Sequence, residues 1–188
     1  MFFDKSHLVA LGGNMPSAKG ESVETLRAAL DRIASSGCEL LAVSRFYRTP
    51  CFPPGAGPDY VNAAAMIAFD AAPEAVLNLL HRVEAEFGRE RVKRWGQRTL
   101  DLDLIGAGDA VLPDPATYQA WHDLAPDAQQ SEAPDRLILP HPRMHERAFV
   151  LVPLADVAPE WRHPVLGRTV VEMRDALPDD ALAEVVAL

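Results

Sequence analysis

Arg94 and Arg98 stand just ahead of Asp101 and Asp103 in the segment RWGQRTLDLD. Leu100, Leu102 and Leu104 alternate with the two acids, and a strand's period of two sends the leucines to one face and both carboxylates to the other. Mg²⁺ takes oxygen ligands and is commonly held by one or two carboxylates together with nucleotide phosphates, so a paired acid face beside arginines suits a metal-nucleotide complex. A bare D-x-D is equally the pattern of two solvated acids on a half-buried strand. Its cationic surroundings distinguish the two readings, because Arg82, Arg89, Arg91, Lys93, Arg94 and Arg98 crowd into one short stretch. His141 and His145 suggest a different chemistry. Histidines four apart on a helical turn can share zinc, although Pro142 would leave His141 at the helix edge and no nearby cysteine completes a ligand set.

The net charge of the 188 residues is −9, which argues against a protein whose main task is gripping nucleic-acid backbone. Any anion site must be local, and one basic segment on an acidic chain points to a small polyanionic ligand. With 48% hydrophobic residues, the chain can bury a substantial core, and its length suits a single domain. Cys38 and Cys51 show neither metal-type spacing nor a disulfide framework, so a reducing cytoplasm is the expected compartment. The N-terminal apolar run is too short for a membrane span and lacks the organisation of a signal peptide, so no membrane attachment is expected.

The elements that must position the acids follow from periodicity and punctuation. His7 to Leu11 reads as a buried strand, ended by the turn signal Gly12-Gly13-Asn14. Val23, Leu26, Leu30 and Ile33 recur at helical spacing, with Gly37 as terminator. Leu40 to Arg48 reads as one strand, Pro50 to Pro58 as a loop, and Tyr60 to Phe69 as the next strand. Pro73 suits a first helical position, and Val76, Leu80, Val83 and Phe87 mark a helix face that closes at Gly88. Strand-helix-strand-strand-helix-strand is the ferredoxin-like α+β pattern, an antiparallel sheet with helices packed on one face. Gly106 to Asp135 then turns rich in Ala, Asp, Pro and Gln and reads as an insertion at 106–135 that the fold should not need, with Tyr118, Trp121 and Leu124 hinting at a short helix. Phe149 to Val157 is expected to pack on the sheet, and Val170 to Leu177 to form a terminal helix. A ferredoxin-like RNA-binding module is a third reading, which the acids on the comparable strand disfavour.

Taken together, FYRTP (Phe46 to Pro50), DYVNAA (Asp59 to Ala64), RWGQRTLDLDLI (Arg94 to Ile105) and LPHPRMHERAFVLVPL (Leu139 to Leu154) resemble the 6-hydroxymethyl-7,8-dihydropterin pyrophosphokinase family. The resemblance runs from about Leu8 to Pro159, apart from the insertion. It implies transfer of the β,γ-pyrophosphate of ATP to the pterin hydroxymethyl group, with release of AMP and the use of two Mg²⁺ ions. A monomer acting on ATP and the pterin, without nucleic acid or membrane, is the accompanying expectation.

Position by position, the resemblance implies that Asp101 and Asp103 are the metal ligands, and it counts Arg89 and Arg98 with them as catalytic. Arg89, Arg91, Arg98 and Arg147 match phosphate-binding arginines, whose planar forks suit phosphate oxygens, and His141 matches a triphosphate contact. Glu84, Leu104, Arg136 and Ile138 match positions near the nucleotide, and Trp95 lies in a matched loop that covers the site. For the pterin, Tyr60 and Phe149 match an aromatic pair that sandwiches the ring, and Asn62 the amide that reads its polar edge. Thr49, Pro50 and Phe52 match the loop that contributes further pterin contacts. Gln97, His81 and Cys51 depart from the family's usual residues.

Overall fold

The first strand, β1 (Ser6–Gly13), alternates its side chains between two buried layers, which is why it contains only apolar and small residues after Ser6 and His7. The computed structural model describes residues 5–51, 55, 57–88, 99–125, 128 and 132–188. After β1 come α1 (Ser22–Ser35), β2 (Glu39–Val43), β3 (Tyr47–Thr49), β4 (Tyr60–Ala68), α2 (Pro73–Glu86) and β5 (Asp101–Ala107). The chain continues through α3 (Pro115–His122), a 3₁₀ turn (Met144–Glu146), α4 (Ala148–Val157), α5 (Val170–Asp175), α6 (Asp179–Ala183) and β6 (Val186–Ala187). The sheet is antiparallel in the order β5-β1-β4-β3-β6, with β2 also paired to β4. This is the expected ferredoxin-like α+β arrangement.

Both long helices end where the sequence places glycine. Gly37 and Gly88 take φ of 93° and 81°, a conformation that residues with a Cβ rarely adopt. The helices bury Leu26, Ile33, Val76, Leu80 and Val83 against Val9, Leu11, Ala63, Ile67, Leu102 and Leu104 on one face of the sheet. A second apolar cluster lies on the other face, where Val150, Leu151 and Leu154 of α4 meet Leu8, Ala64 and Ile105. Helices therefore cover part of both faces, not one. Ala10 and Ala64 are small enough to let α4 approach the strands closely, and the end of the face that carries the two aspartates lies beyond this cluster.

Four expectations need correction. Gly12 and Gly13 are not in a turn but are the last two residues of β1, paired with Asn62 and Val61. The segment Leu40 to Arg48 is two strands, because the Ser44 hydroxyl accepts from the Ala64 amide at 2.8 Å and so takes over a ladder position that a carbonyl would fill. The helix at Val170 is not terminal, since β6 follows and pairs with β3. Lastly, the segment after β5 is not a simple surface loop. Its helix α3 opens on the Asp114 side-chain cap and drives Tyr118 fully out of solvent, with the phenol hydrogen-bonded to His163 Nε2 at 3.2 Å.

Candidate active site

Strand register places five of the candidates, Thr49, Tyr60, Asn62, Asp101 and Asp103, on one face. In an antiparallel ladder, residues directly opposite each other point the same way. Tyr47 lies opposite Asn62, Asn62 opposite Gly12, and Gly12 opposite Asp101, so these four form a row across β3, β4, β1 and β5. Thr49 opposite Tyr60 and Asp103 opposite Ala10 flank it on the same face. Asp101 and Asp103 are both partly exposed, whereas Leu100, Leu102 and Leu104 are buried on the helix side, the alternation that the leucine-aspartate pattern predicts.

Gly12 is the residue that sequence reasoning missed. A Cβ there would stand 3.0 Å from Asn62 Oδ1, so only glycine leaves the amide its position. The absent side chain also opens a lane between Asn62 and Asp101, which sit two strands apart, roughly 10 Å. The signal available in the sequence was a paired glycine at the end of a buried strand, which also marks close approach by another group. On the β4 side of the lane, Asn62 Nδ2 donates to Thr49 Oγ1 at 2.7 Å, which fixes the amide and leaves its oxygen facing Gly12. Pro50 follows in an exposed position, and the Cys51 thiol donates to the Gly57 carbonyl at 3.0 Å, closing that loop.

The far side of the lane sets His141 and Arg147 beside the two acids. The His141 amide donates to the Ile105 carbonyl at 2.8 Å, which lays the histidine beside β5. Its Nδ1 accepts from the Arg143 amide at 3.2 Å, so the neutral ring carries its proton on Nε2. Burial, then the charge of Arg147, pushes the His141 imidazole down to about 3, with Asp101 opposing. The ring is therefore a neutral donor at physiological pH. Arg147, half-buried, occupies the N-cap position of α4; burial lowers its pKa, while Asp103 is the main group holding it charged. The guanidinium lies 5.8 Å from the centroid of the Phe149 ring, which is 42% exposed and so does not join the apolar run it opens.

Several of the sequence candidates sit elsewhere. Leu104 is buried in the core of the opposite face, and Glu84, 1% exposed, accepts from the Leu102 amide at 2.8 Å, fixing β5 between the two aspartates from behind. Ile138 is buried beside the Leu112–Leu139 bridge, and Arg136 is exposed and paired with Asp135 at 3.0 Å. Arg89, Arg91, Trp95, Arg98 and Phe52, together with the departure at Gln97, lie outside the described residues. The zinc reading does not survive the geometry. His145 instead stacks on His122, with ring centroids 4.7 Å apart. Among the described residues no three His, Cys, Asp or Glu side chains could hold a metal ion, and no helix is long and apolar enough to cross a membrane.

Comparison with known proteins identifies the family. Residues 8–159 match the family model described as 7,8-dihydro-6-hydroxymethylpterin-pyrophosphokinase. The chain is 37% identical over 167 residues to the 2-amino-4-hydroxy-6-hydroxymethyldihydropteridine pyrophosphokinase of Synechocystis, covering 88% of this chain and 73% of that one. The enzyme of the same name from Pseudomonas aeruginosa is 36% identical over 174 residues, 93% of each chain. Among solved structures, wild-type HPPK-DHPS of Plasmodium falciparum superposes with a TM-score of 0.60 at 16% identity, over 90% of this chain but 44% of that one, a likeness of fold alone. With a family model matched over most of its length and relatives above one-third identity, the chain belongs to the 7,8-dihydro-6-hydroxymethylpterin-pyrophosphokinase family.

Proposed function

We propose that this chain transfers the β,γ-pyrophosphate of ATP to the hydroxymethyl group of 6-hydroxymethyl-7,8-dihydropterin, giving AMP and the pterin diphosphate for tetrahydrofolate synthesis. The supporting observation is the row Asn62–Gly12–Asp101, which sets an amide suited to a pterin edge and a carboxylate suited to a metal-bound phosphate on either side of a lane free of side chains. Thr49, Pro50, Phe52, Tyr60, Asn62 and Phe149 bind the pterin in this reading. Tyr60 and Phe149 stack on the ring, and the exposure of Phe149 supports that role.

Asp101 and Asp103 hold the metal. Two carboxylates on one strand face, with no group of three or more His, Cys, Asp or Glu placed to hold a metal ion among the described residues, suit Mg²⁺ that completes its shell with phosphate oxygens and water. Two such ions bound with ATP supply charge neutralisation of the triphosphate. The chain's own residues do the rest. His141 donates its Nε2 proton as a hydrogen bond to a phosphate oxygen. Arg147, already desolvated, places a fixed cation beside the same phosphates, where a low-dielectric setting strengthens the interaction. Arg89, Arg91 and Arg98 add charge from the neighbouring segment and Trp95 covers it, while Leu104, Arg136 and Ile138 mark the nucleoside side. Glu84 serves through β5, holding the strand that presents both acids. Catalysis of this kind rests on position and charge more than on a strong base. The protein works as a cytoplasmic monomer in this reading, with its segment at 106–135 as an insertion in a single domain.

The test is product analysis. Purified protein with ATP, Mg²⁺ and the pterin alcohol should release AMP, and only when the pterin is present. ADP as the main product, or AMP release that ignores the pterin, would overturn the assignment.

A further inference from the structure

The two halves of the pterin slot come from different parts of the chain, and one carboxylate ties them together. Thr49 and Asn62 belong to β3 and β4, whereas Phe149 and Arg147 sit at the start of α4, across the open face. Asp156 lies near the other end of α4, seven residues after Phe149 and so on the same helical stripe. Its Oδ2 accepts from the Tyr47 hydroxyl at 2.7 Å, from the Arg45 backbone amide at 3.2 Å and from Arg45 Nε at 3.1 Å, and its Oδ1 accepts from Arg45 Nη2 at 2.8 Å. All four bonds reach the chain where β3 begins. The break that Ser44 makes between β2 and β3 is what turns Arg45 toward α4. Tyr47 is the end member of the row that continues through Asn62 and Gly12 to Asp101, and it is 3% exposed.

Pro153 makes this anchor more consequential. A proline inside a helix has no amide to donate, so the Phe149 carbonyl lacks its intrahelical bond and α4 is weakest between Phe149 and Asp156. The helix therefore depends on outside contacts to hold its register against β3.

Building on the proposed activity, we propose that Asp156 is a positioning residue for the pterin: through Tyr47 and Arg45 it sets the distance between Phe149 on α4 and the Thr49–Asn62 pair on the sheet. It touches no substrate itself. The ATP side of the site stands mainly on β5 and the His141 segment, with Arg147 as its one described residue on α4, so the influence of Asp156 falls chiefly on the pterin.

Steady-state kinetics of wild type, Asp156→Asn, Asp156→Glu and Tyr47→Phe, with each substrate varied in turn, test this. Asp156→Asn should raise the KM for the pterin about fivefold or more, the size of a partly lost aromatic contact, with the KM for ATP within about twofold of wild type. Tyr47→Phe, a milder change, should move the same parameter in the same direction, and Asp156→Glu should recover most of the loss. A variant that melts at lower temperature yet keeps the wild-type pterin KM would show a purely structural role and overturn the proposal, as would an equal rise in both KM values. Wild-type protein without pterin-dependent turnover would overturn the activity as well, and so separates the two failures. Should Asp156→Asn fail to fold, Tyr47→Phe decides alone.

Discussion

Lowering the pH from 7 to 5 should destabilise this fold in part through His163, and a single substitution should remove that part of the sensitivity. His163 is fully buried, and its Nδ1 accepts from the amides of Val165 and Leu166 at 3.2 and 3.1 Å while Nε2 meets the Tyr118 hydroxyl. Protonating Nδ1 would break two hydrogen bonds and bury a charge. Burial, followed by the nearby His145, His122 and Arg168, pushes the imidazole down to about 4 from an ordinary value of 6.5. A histidine depressed in the folded state contributes stability that is complete above its unfolded pKa and is lost as pH falls through the window between 6.5 and about 4. Integrating proton uptake over those two values gives a loss of roughly 2 kcal/mol between pH 7 and pH 5. For a chain of this size that corresponds to about 4–8 °C in Tm. Asn at position 163 can offer Oδ1 to the same two amides without titrating, so His163→Asn should be less stable than wild type at pH 7, having lost the Tyr118 bond, yet flatter with pH. Urea unfolding of both proteins at pH 7 and pH 5 measures the difference. The burial of His7, His141 and His145 depresses each of them too, so some acid sensitivity should remain. Equal losses in wild type and variant would refute the reasoning.

Gly12→Ala should displace the Asn62 amide by a few tenths of an ångström and raise the pterin KM several-fold with little change in Tm, because the new Cβ crowds a side-chain oxygen 3.0 Å away while the backbone oxygen of Val61, at 3.9 Å, is an ordinary contact; an unchanged KM would show that the lane is not used. Replacing residues 113–134 with a short Gly/Ser linker should cost about 3 kcal/mol or more in unfolding free energy, since it removes the buried Tyr118 ring and its bond to His163. A linker variant as stable as wild type would show the segment to be dispensable. Glu84→Gln keeps the acceptor oxygen for the Leu102 amide but not the charge, so activity should persist at a reduced level, whereas Glu84→Ala, which leaves that buried amide unpaired, should lower both Tm and kcat.

Much of the fold was legible because its signals are local. Alternating leucines and aspartates in β5, heptad-like apolar spacing in α1 and α2, and glycines at positive φ each state their element within a few residues. What stayed hidden depends on partners far away in sequence. The break at Ser44 needs the Ala64 amide, twenty residues on, to take a hydroxyl in place of a carbonyl. Gly12 looked like a turn because nothing nearby in sequence reveals Asn62 standing over it. The segment around Tyr118 looked dispensable by composition, yet a single aromatic docks it against His163. In the site itself, residue types pointed to Asp101 and Asp103 and the family resemblance to His141 and Arg147, and in the structure the charges of these groups act on one another. Leu104, next to Asp103 in sequence, and Glu84, bonded to the Leu102 amide, belong instead to the opposite face, which for Leu104 strand alternation alone already dictates.

The central claim is that the β5 carboxylate face carries the transfer. Its most direct test is pterin-dependent AMP release by Asp101→Asn and Asp103→Asn across a Mg²⁺ titration, with thermal unfolding in parallel and the exposed Asp109→Asn as control. Loss of about 3 kcal/mol of metal-centred stabilisation slows turnover by roughly two orders of magnitude. The account predicts a fall of at least that size in both variants with melting near that of the wild type, and none in the control; rates close to wild type in both aspartate variants at limiting Mg²⁺ would contradict it.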